Sequence, residues 1–181
     1  VPSPPQLWDG SIVATDTGFG TVAAGSVEPL EVPKSVGPEL RALLGLRDAA
    51  HRLLELEAAT VDDTDEINQA REGLYRDYRK YAGRYGPLNR YTLRRTGRTN
   101  EAGEDTYART VPTPIRVLRS DPFGALVLAL EQFDDTDQTA TPAAIMTRQI
   151  EKTRTEPQGV DTPADAIAVS LDRSGGIDLP L

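Results

Sequence analysis

The chain predicts an α+β fold, mainly α, and three observations point there. Short β-prone runs punctuated by glycine fill residues 7–32. Two long stretches, residues 38–59 and 67–85, repeat apolar residues at steps of three and four. Threonine-proline and aspartate-proline helix starts recur after residue 120. The expected architecture is a small N-terminal β-meander, a long antiparallel helical hairpin and a C-terminal cluster of short helices. The corresponding divisions are residues 1–34 (with an N-terminal linker), 35–89, 90–119 (a basic polar loop) and 120–181.

Proline at positions 2, 4 and 5 marks a linker-like lead-in. Ser11-Ile12-Val13-Ala14, Thr21-Val22-Ala23 and residues 27–32 read as strands, separated by Asp9-Gly10, Thr17-Gly18, Gly20 and Gly25. Gly18-Phe19-Gly20 invites comparison with a nucleotide loop, but no further glycine pattern and no Lys-Ser/Thr follows, so a hairpin turn is expected. The first helix carries Leu40, Leu43, Leu44, Leu46, Ala50, Leu53, Leu54 and Leu56 on a wide apolar face. An acidic connection, residues 60–64, supplies a Thr or Asp cap for the second helix. That helix places Ile67, Ala70, Leu74, Tyr78, Tyr81 and Tyr85 on one side and Arg71, Arg76, Arg79, Lys80 and Arg84 on the others. Gly86 and Pro87 end it. Leu43, Leu54, Leu74, Tyr78 and Tyr81 are expected to face inward between the two helices.

Residues 94–105 lack hydrophobic periodicity and read as a flexible loop or the tip of a β-ribbon. A helix is expected to start at Ser120 or Asp121, with Pro122 in its first turn, and to run through the apolar stretch Ala125 to Glu131. Further short helices are expected near residues 143–149 and 164–171, with a turn at Ser174-Gly175-Gly176.

Composition narrows the chemistry. There is no cysteine, so disulfides, thiolate metal sites and a cysteine nucleophile are excluded, and a reducing cytoplasm is the fitting compartment. No apolar run is long enough to span a bilayer, so no membrane partner is expected. His51 is the one histidine; without a second metal-ligating His or Cys, or a Ser-His-Asp spacing, it reads as structural. Asp62, Asp63, Asp65 and Glu66 lack the glycine and the terminal Glu of a calcium loop. No catalytic set, metal or cofactor is therefore expected. Val1 in place of an initiator methionine suggests a piece excised from a longer protein.

The net charge is −8, yet residues 71–98 hold nine Lys or Arg against Glu72 and Asp77, a local balance of +7 that leaves −15 elsewhere. Arg94, Arg95 and Arg98, with Arg90, Arg84, Lys80 and Tyr91, are the candidate nucleic-acid contacts. Tyr107 lies close by as a second stacking residue. A solvated loop whose tyrosines pack at its base is the alternative.

Tyr85-Gly86-Pro87-Leu88-Asn89, Ser120-Asp121-Pro122 with Leu126-Val127-Leu128-Ala129-Leu130-Glu131 and Phe133-Asp134, and the stretch 161–179 together resemble an intermediate region of very large bacterial and phage proteins. Those proteins combine an N6-adenine DNA methylase-like part with a superfamily 2 (SNF2 or DEAD/DEAH-like) helicase part. The resemblance runs from about Trp8 to the end. Where similar sequences read Lys-Ala-Asp-Ile-Phe, this chain has Pro142-Ala143-Ala144-Ile145-Met146, so no role passes to that lysine. The resemblance implies a non-catalytic segment beside a helicase motor, a helicase-associated module of mobile genetic elements. Such a segment positions DNA or docks the adjacent helicase and methylase-like domains, and ATP hydrolysis belongs to the parent protein. A purely protein-binding or spacer domain is the competing expectation.

Overall fold

The computed structural model describes residues 8–60 and 62–150. Three strands, β1 (Ile12–Ala14), β2 (Phe19–Ala23) and β3 (Ser26–Leu30), form an antiparallel meander in the order β1-β2-β3. The turn between β2 and β3 is the two-residue Ala24-Gly25, with φ of 48° and 77°. Positive φ at both positions is what a tight hairpin matched to strand twist requires, and glycine supplies one of them without strain.

Helices α1 (Gly37–Ala59) and α2 (Asp65–Tyr85) follow. The Thr64 side chain accepts from the Ile67 amide at 3.3 Å and caps α2 as expected. Gly86 closes α2 with φ 87° and ψ −173°, a conformation essentially reserved for glycine, while its amide bonds the Ala82 carbonyl. The helices run in opposite directions: Arg52 meets Glu66 near their connection, and Glu39 meets Tyr81 and Arg90 at the far end.

Next come β4 (Thr92–Thr99) and β5 (Asp105–Thr110), then α3 (Thr113–Leu118), α4 (Gly124–Leu128), β6 (Glu131–Asp134), β7 (Thr139–Pro142) and a 3-10 turn at Ala144–Met146. The strands pair as two separate two-stranded antiparallel ribbons, β4-β5 and β6-β7.

The mainly α fold built on a long helical hairpin is therefore overturned. Of the described residues 41% are helical and 25% are in strands, distributed among four α-helices and three small sheets. α1 and α2 are one layer of a core completed by other elements. Ile12, Phe19, Leu40, Leu43, Leu53, Ile67, Leu74, Leu88, Ile115, Leu118, Val127, Leu130 and Ile145 belong to a single buried cluster. Of the five residues expected between the helices, Leu54 is only partly buried; the other four are buried.

The helix expected through residues 122–131 lasts only for Gly124–Leu128, and Glu131 starts a strand. Asp121 does not cap it by convention, since Phe123 occupies the capping position; Asp121 instead accepts the Phe123 amide and is drawn into the core by Arg47. The helix expected at residues 143–149 shrinks to a single 3-10 turn, because β7 uses Pro142 as its last residue. The linker expected at residues 1–5, the helix expected at 164–171 and the turn expected at 174–176 lie outside the described residues. Among the described residues, no helix is long and apolar enough to cross a membrane.

Candidate nucleic-acid interface

β-Prone Thr, Leu, Arg and Tyr side chains alternate through residues 91–99 and 105–110, and they form a ribbon rather than a loop. Leu93 stands opposite Arg109, Arg94 opposite Ala108 and Arg95 opposite Tyr107. The register then shifts between Arg95 and Thr99, where three residues of β4 face Thr106 alone. Threonines pin this bulge. The Thr96 hydroxyl donates to the Thr106 carbonyl at 3.0 Å, and the Thr106 hydroxyl donates to the Arg98 carbonyl at 3.0 Å. At the tip the Asn100 carboxamide oxygen accepts the amides of Ala102 (3.0 Å) and Glu104 (2.9 Å).

Residues directly opposite one another share a face of an antiparallel pair, and residues two apart share it along a strand. One face therefore carries Leu93, Arg95, Tyr107 and Arg109. Tyr91, two residues before Leu93, joins it, because the Arg109 guanidinium lies 4.3 Å from the Tyr91 ring centroid. The other face carries Thr92, Arg94, Ala108 and Thr110. Every residue of β4 is exposed, Leu93 at 60%, and in β5 Tyr107 is 59% exposed.

The ribbon is anchored at its root. Arg109 makes a two-pronged ion pair with Asp135, whose carboxylate raises the guanidinium pKa. The Tyr91 hydroxyl reaches the Asp135 carbonyl at 3.5 Å, and its ring meets Phe133 edge-on at 6.3 Å.

The expected contact residues separate into three groups. Arg94, Arg95 and Arg98 sit together on the exposed ribbon; Arg95 pairs with Asp105, and among the described residues Arg94 and Arg98 have no ion-pair partner. Lys80 and Arg84 are exposed on α2, where Arg84 stacks 5.2 Å from the Tyr85 ring, and no hydrogen bond or ion pair joins them to the ribbon among the described residues. Arg90 is half-buried, and its charge is committed inward. Its guanidinium bonds Glu39 at 2.7 Å, the Tyr81 hydroxyl at 3.1 Å and the Pro87 carbonyl at 3.0 Å. Burial works against that charge, but Glu39 and Tyr81 outweigh it and raise its pKa.

Arg71, assigned by spacing to the basic surface of α2, is also buried. It bridges Glu57 at 3.0 Å and Asp63 at 2.8 Å, and the Asp63 bond is the largest cause of its raised pKa. Two of the nine cations behind the +7 balance are thus consumed inside the fold.

Arg109 and Leu93 were not among the expected contact residues. The alternation Tyr91-x-Leu93-x-Arg95 with Tyr107-x-Arg109 is the signal that places them on one face.

The motifs that carry the family resemblance hold the core together. Asp121 is buried and accepts from Arg47, from the Ile12 amide (2.8 Å) and from the Phe123 amide (2.9 Å), tying β1 and α1 to the start of α4. Glu131, also buried, accepts from the Tyr78 hydroxyl at 3.0 Å, the Asn89 amide at 2.9 Å and the Asn89 side chain at 3.2 Å. Asn89 in turn donates to the Leu128 carbonyl at 2.9 Å, and Leu88 is fully buried. His51 packs edge-on to Phe123 at 4.7 Å with Glu55 3.5 Å away.

No protein-family model, curated protein or solved structure matches this chain.

Proposed function

We propose that the chain is a non-catalytic accessory module of a larger cytoplasmic DNA-processing protein, of the helicase and methylase type that its motifs resemble, and that it holds nucleic acid on the β4-β5 ribbon. The observation that carries this reading is the fully exposed β4, which presents Arg94 and Arg98, without ion-pair partners among the described residues, beside a tyrosine-bearing face. A two-stranded ribbon is also slim enough to enter the major groove or lie along a single strand.

The buried carboxylates fit a scaffold better than a reaction centre. Asp121, Glu131 and Glu57 each accept from several donors and so cross-link segments far apart in the chain.

A second reading, a protein-binding or spacer domain, is favoured by one observation. Arg95 and Arg109 are neutralised by Asp105 and Asp135, as on a self-contained strut.

Fluorescence anisotropy with labelled single-stranded and duplex oligonucleotides at low salt separates the two readings. Binding is expected to be weak and sequence-tolerant, and to fall steeply with salt. Replacing Arg94 and Arg98 together by Ala should lower it and reduce the slope of log affinity against log salt by about one per arginine. Binding unchanged in that variant, or no binding at low salt, decides for the protein-binding reading.

A further inference from the structure

Resting on the nucleic-acid reading of the ribbon, we infer that its ligand is unpaired nucleic acid. Bases lie over Leu93 and Tyr107, and phosphates run past Arg94 and Arg98 along β4.

Residues 90–110 hold five arginines against Glu101, Glu104 and Asp105, a balance of +2, and the whole chain stands at −8. Arg90 is committed to Glu39, Arg95 to Asp105 and Arg109 to Asp135. Duplex DNA presents a negative charge about every 1.7 Å and is held chiefly by neutralising many phosphates. Two ribbon arginines without an ion-pair partner among the described residues, beside a carboxylate-rich tip, do not meet that requirement. Any durable complex needs a second source of affinity.

The face carrying Leu93 and Tyr107 supplies one. Its two arginines are charge-neutralised by carboxylates, so it is electrically quiet. Meanwhile Leu93 and Tyr107 stand 60% and 59% exposed, and Tyr91 is already covered by Arg109. An exposed ring beside a leucine favours a flat, apolar surface laid against it, and only bases released from a double helix offer their faces.

The opposite face, with Thr92, Ala108 and Thr110 around Arg94, has no comparable apolar surface. The two ingredients of single-strand binding therefore lie on one slim element. Arg94 lies between Leu93 and Arg95 in β4 and points to the other face, so stacking and phosphate contacts lie on the two sides of one strand, within reach of a nucleic-acid strand lapped over its edge. An apolar protein partner would cover Leu93 and Tyr107 equally well, but would leave Arg94 and Arg98 without an anion.

The test uses the full chain at low salt and three labelled probes: oligodeoxyuridylate, oligouridylate of the same length, and a mixed-sequence DNA duplex. Both single strands are expected to bind about tenfold or more tightly than the duplex. Equal affinity for the two assigns the contact to bases and phosphates; preference for one reads the sugar. Tyr107→Ala should cost about tenfold on the single strands, leave the duplex unchanged and preserve the salt slope, while Tyr107→Phe keeps parental affinity. Circular dichroism and a thermal melt matching the parent establish that the variant is folded. Duplex preference, or single-strand affinity indifferent to Tyr107→Ala, overturns this inference and leaves the nucleic-acid reading standing. If the variant lacking Arg94 and Arg98 binds every probe like the parent, or no probe binds, both fall together.

Discussion

Arg71 and Arg94 belong to the same basic stretch of sequence and meet opposite fates. Arg71 is closed into a bridge between Glu57 and Asp63; Arg94 is exposed on a strand that pairs, among the described residues, with β5 alone. The helical core uses charge as a staple, wherever Arg47 with Asp121 or Tyr78 with Glu131 joins segments far apart in the chain. The ribbon uses charge as a surface. A buried ion pair contributes little net stability relative to an apolar pair, yet it is costly to break, because the surviving partner is stranded without solvent. An exposed one contributes at most about 1 kcal/mol. The same residue type thus dictates which packing is allowed in one region and leaves the other free to meet a ligand.

The comparison breaks most visibly at Asp121. Asp121→Ala removes the buried one of the two carboxylates on the Arg47 guanidinium, leaving it only the half-exposed Asp48, and takes the acceptor from the Ile12 amide, so a loss of about 2–4 kcal/mol is expected in urea unfolding. A loss under about 1 kcal/mol would make the staple ornamental.

Alkaline pH sharpens the contrast further. Burial is the main cause holding the phenols of Tyr78 and Tyr81 above their ordinary pKa; the Glu131 charge adds to it at Tyr78, whereas Arg90 opposes it at Tyr81. The unfolded chain releases these protons near pH 10. The folded chain keeps them to higher pH, so the folded state binds more protons there. The stability they contribute is complete below about pH 10 and is lost as pH rises beyond it. Melting temperature should be level up to about pH 9 and fall above about pH 10, with a shallower fall in Tyr78→Phe. An unchanged melting temperature across that range would remove the two phenols from the account.

The smallest expected effect is on the ribbon itself. Replacing Arg94 and Arg98 by Ala should change stability by less than about 0.5 kcal/mol, because neither side chain is buried or paired among the described residues. Chemical denaturation of that variant checks it, and a loss above about 1 kcal/mol would place these arginines with the staples.

Signals confined to a few neighbouring residues were legible in the sequence. The glycines around 18–25 marked the meander, Thr64 and Gly86 bounded α2, and the leucine spacing of α1 named most of its buried face. Each depends on backbone preference or on periodicity within one element, which the chain carries locally. Legibility stopped where a residue's place depends on a partner far away. Arg71 has the spacing of a solvent-facing residue until Glu57 and Asp63 are seen to surround it, and nothing around Arg90 reveals Glu39 at the start of α1. Residues 92–110 admitted either a loop or a ribbon, because a free-standing two-stranded sheet has no buried face to impose apolar alternation; its register rests on cross-strand pairing and on the threonine-pinned bulge. Residue spacing alone was enough for the two long helices α1 and α2, the meander and the basic stretch, but not for the short helices that follow. Only the tertiary structure decided which of those cations are neutralised within the core and which are left facing solvent, since the cost of burying a charge is met by a partner that folding alone brings within reach.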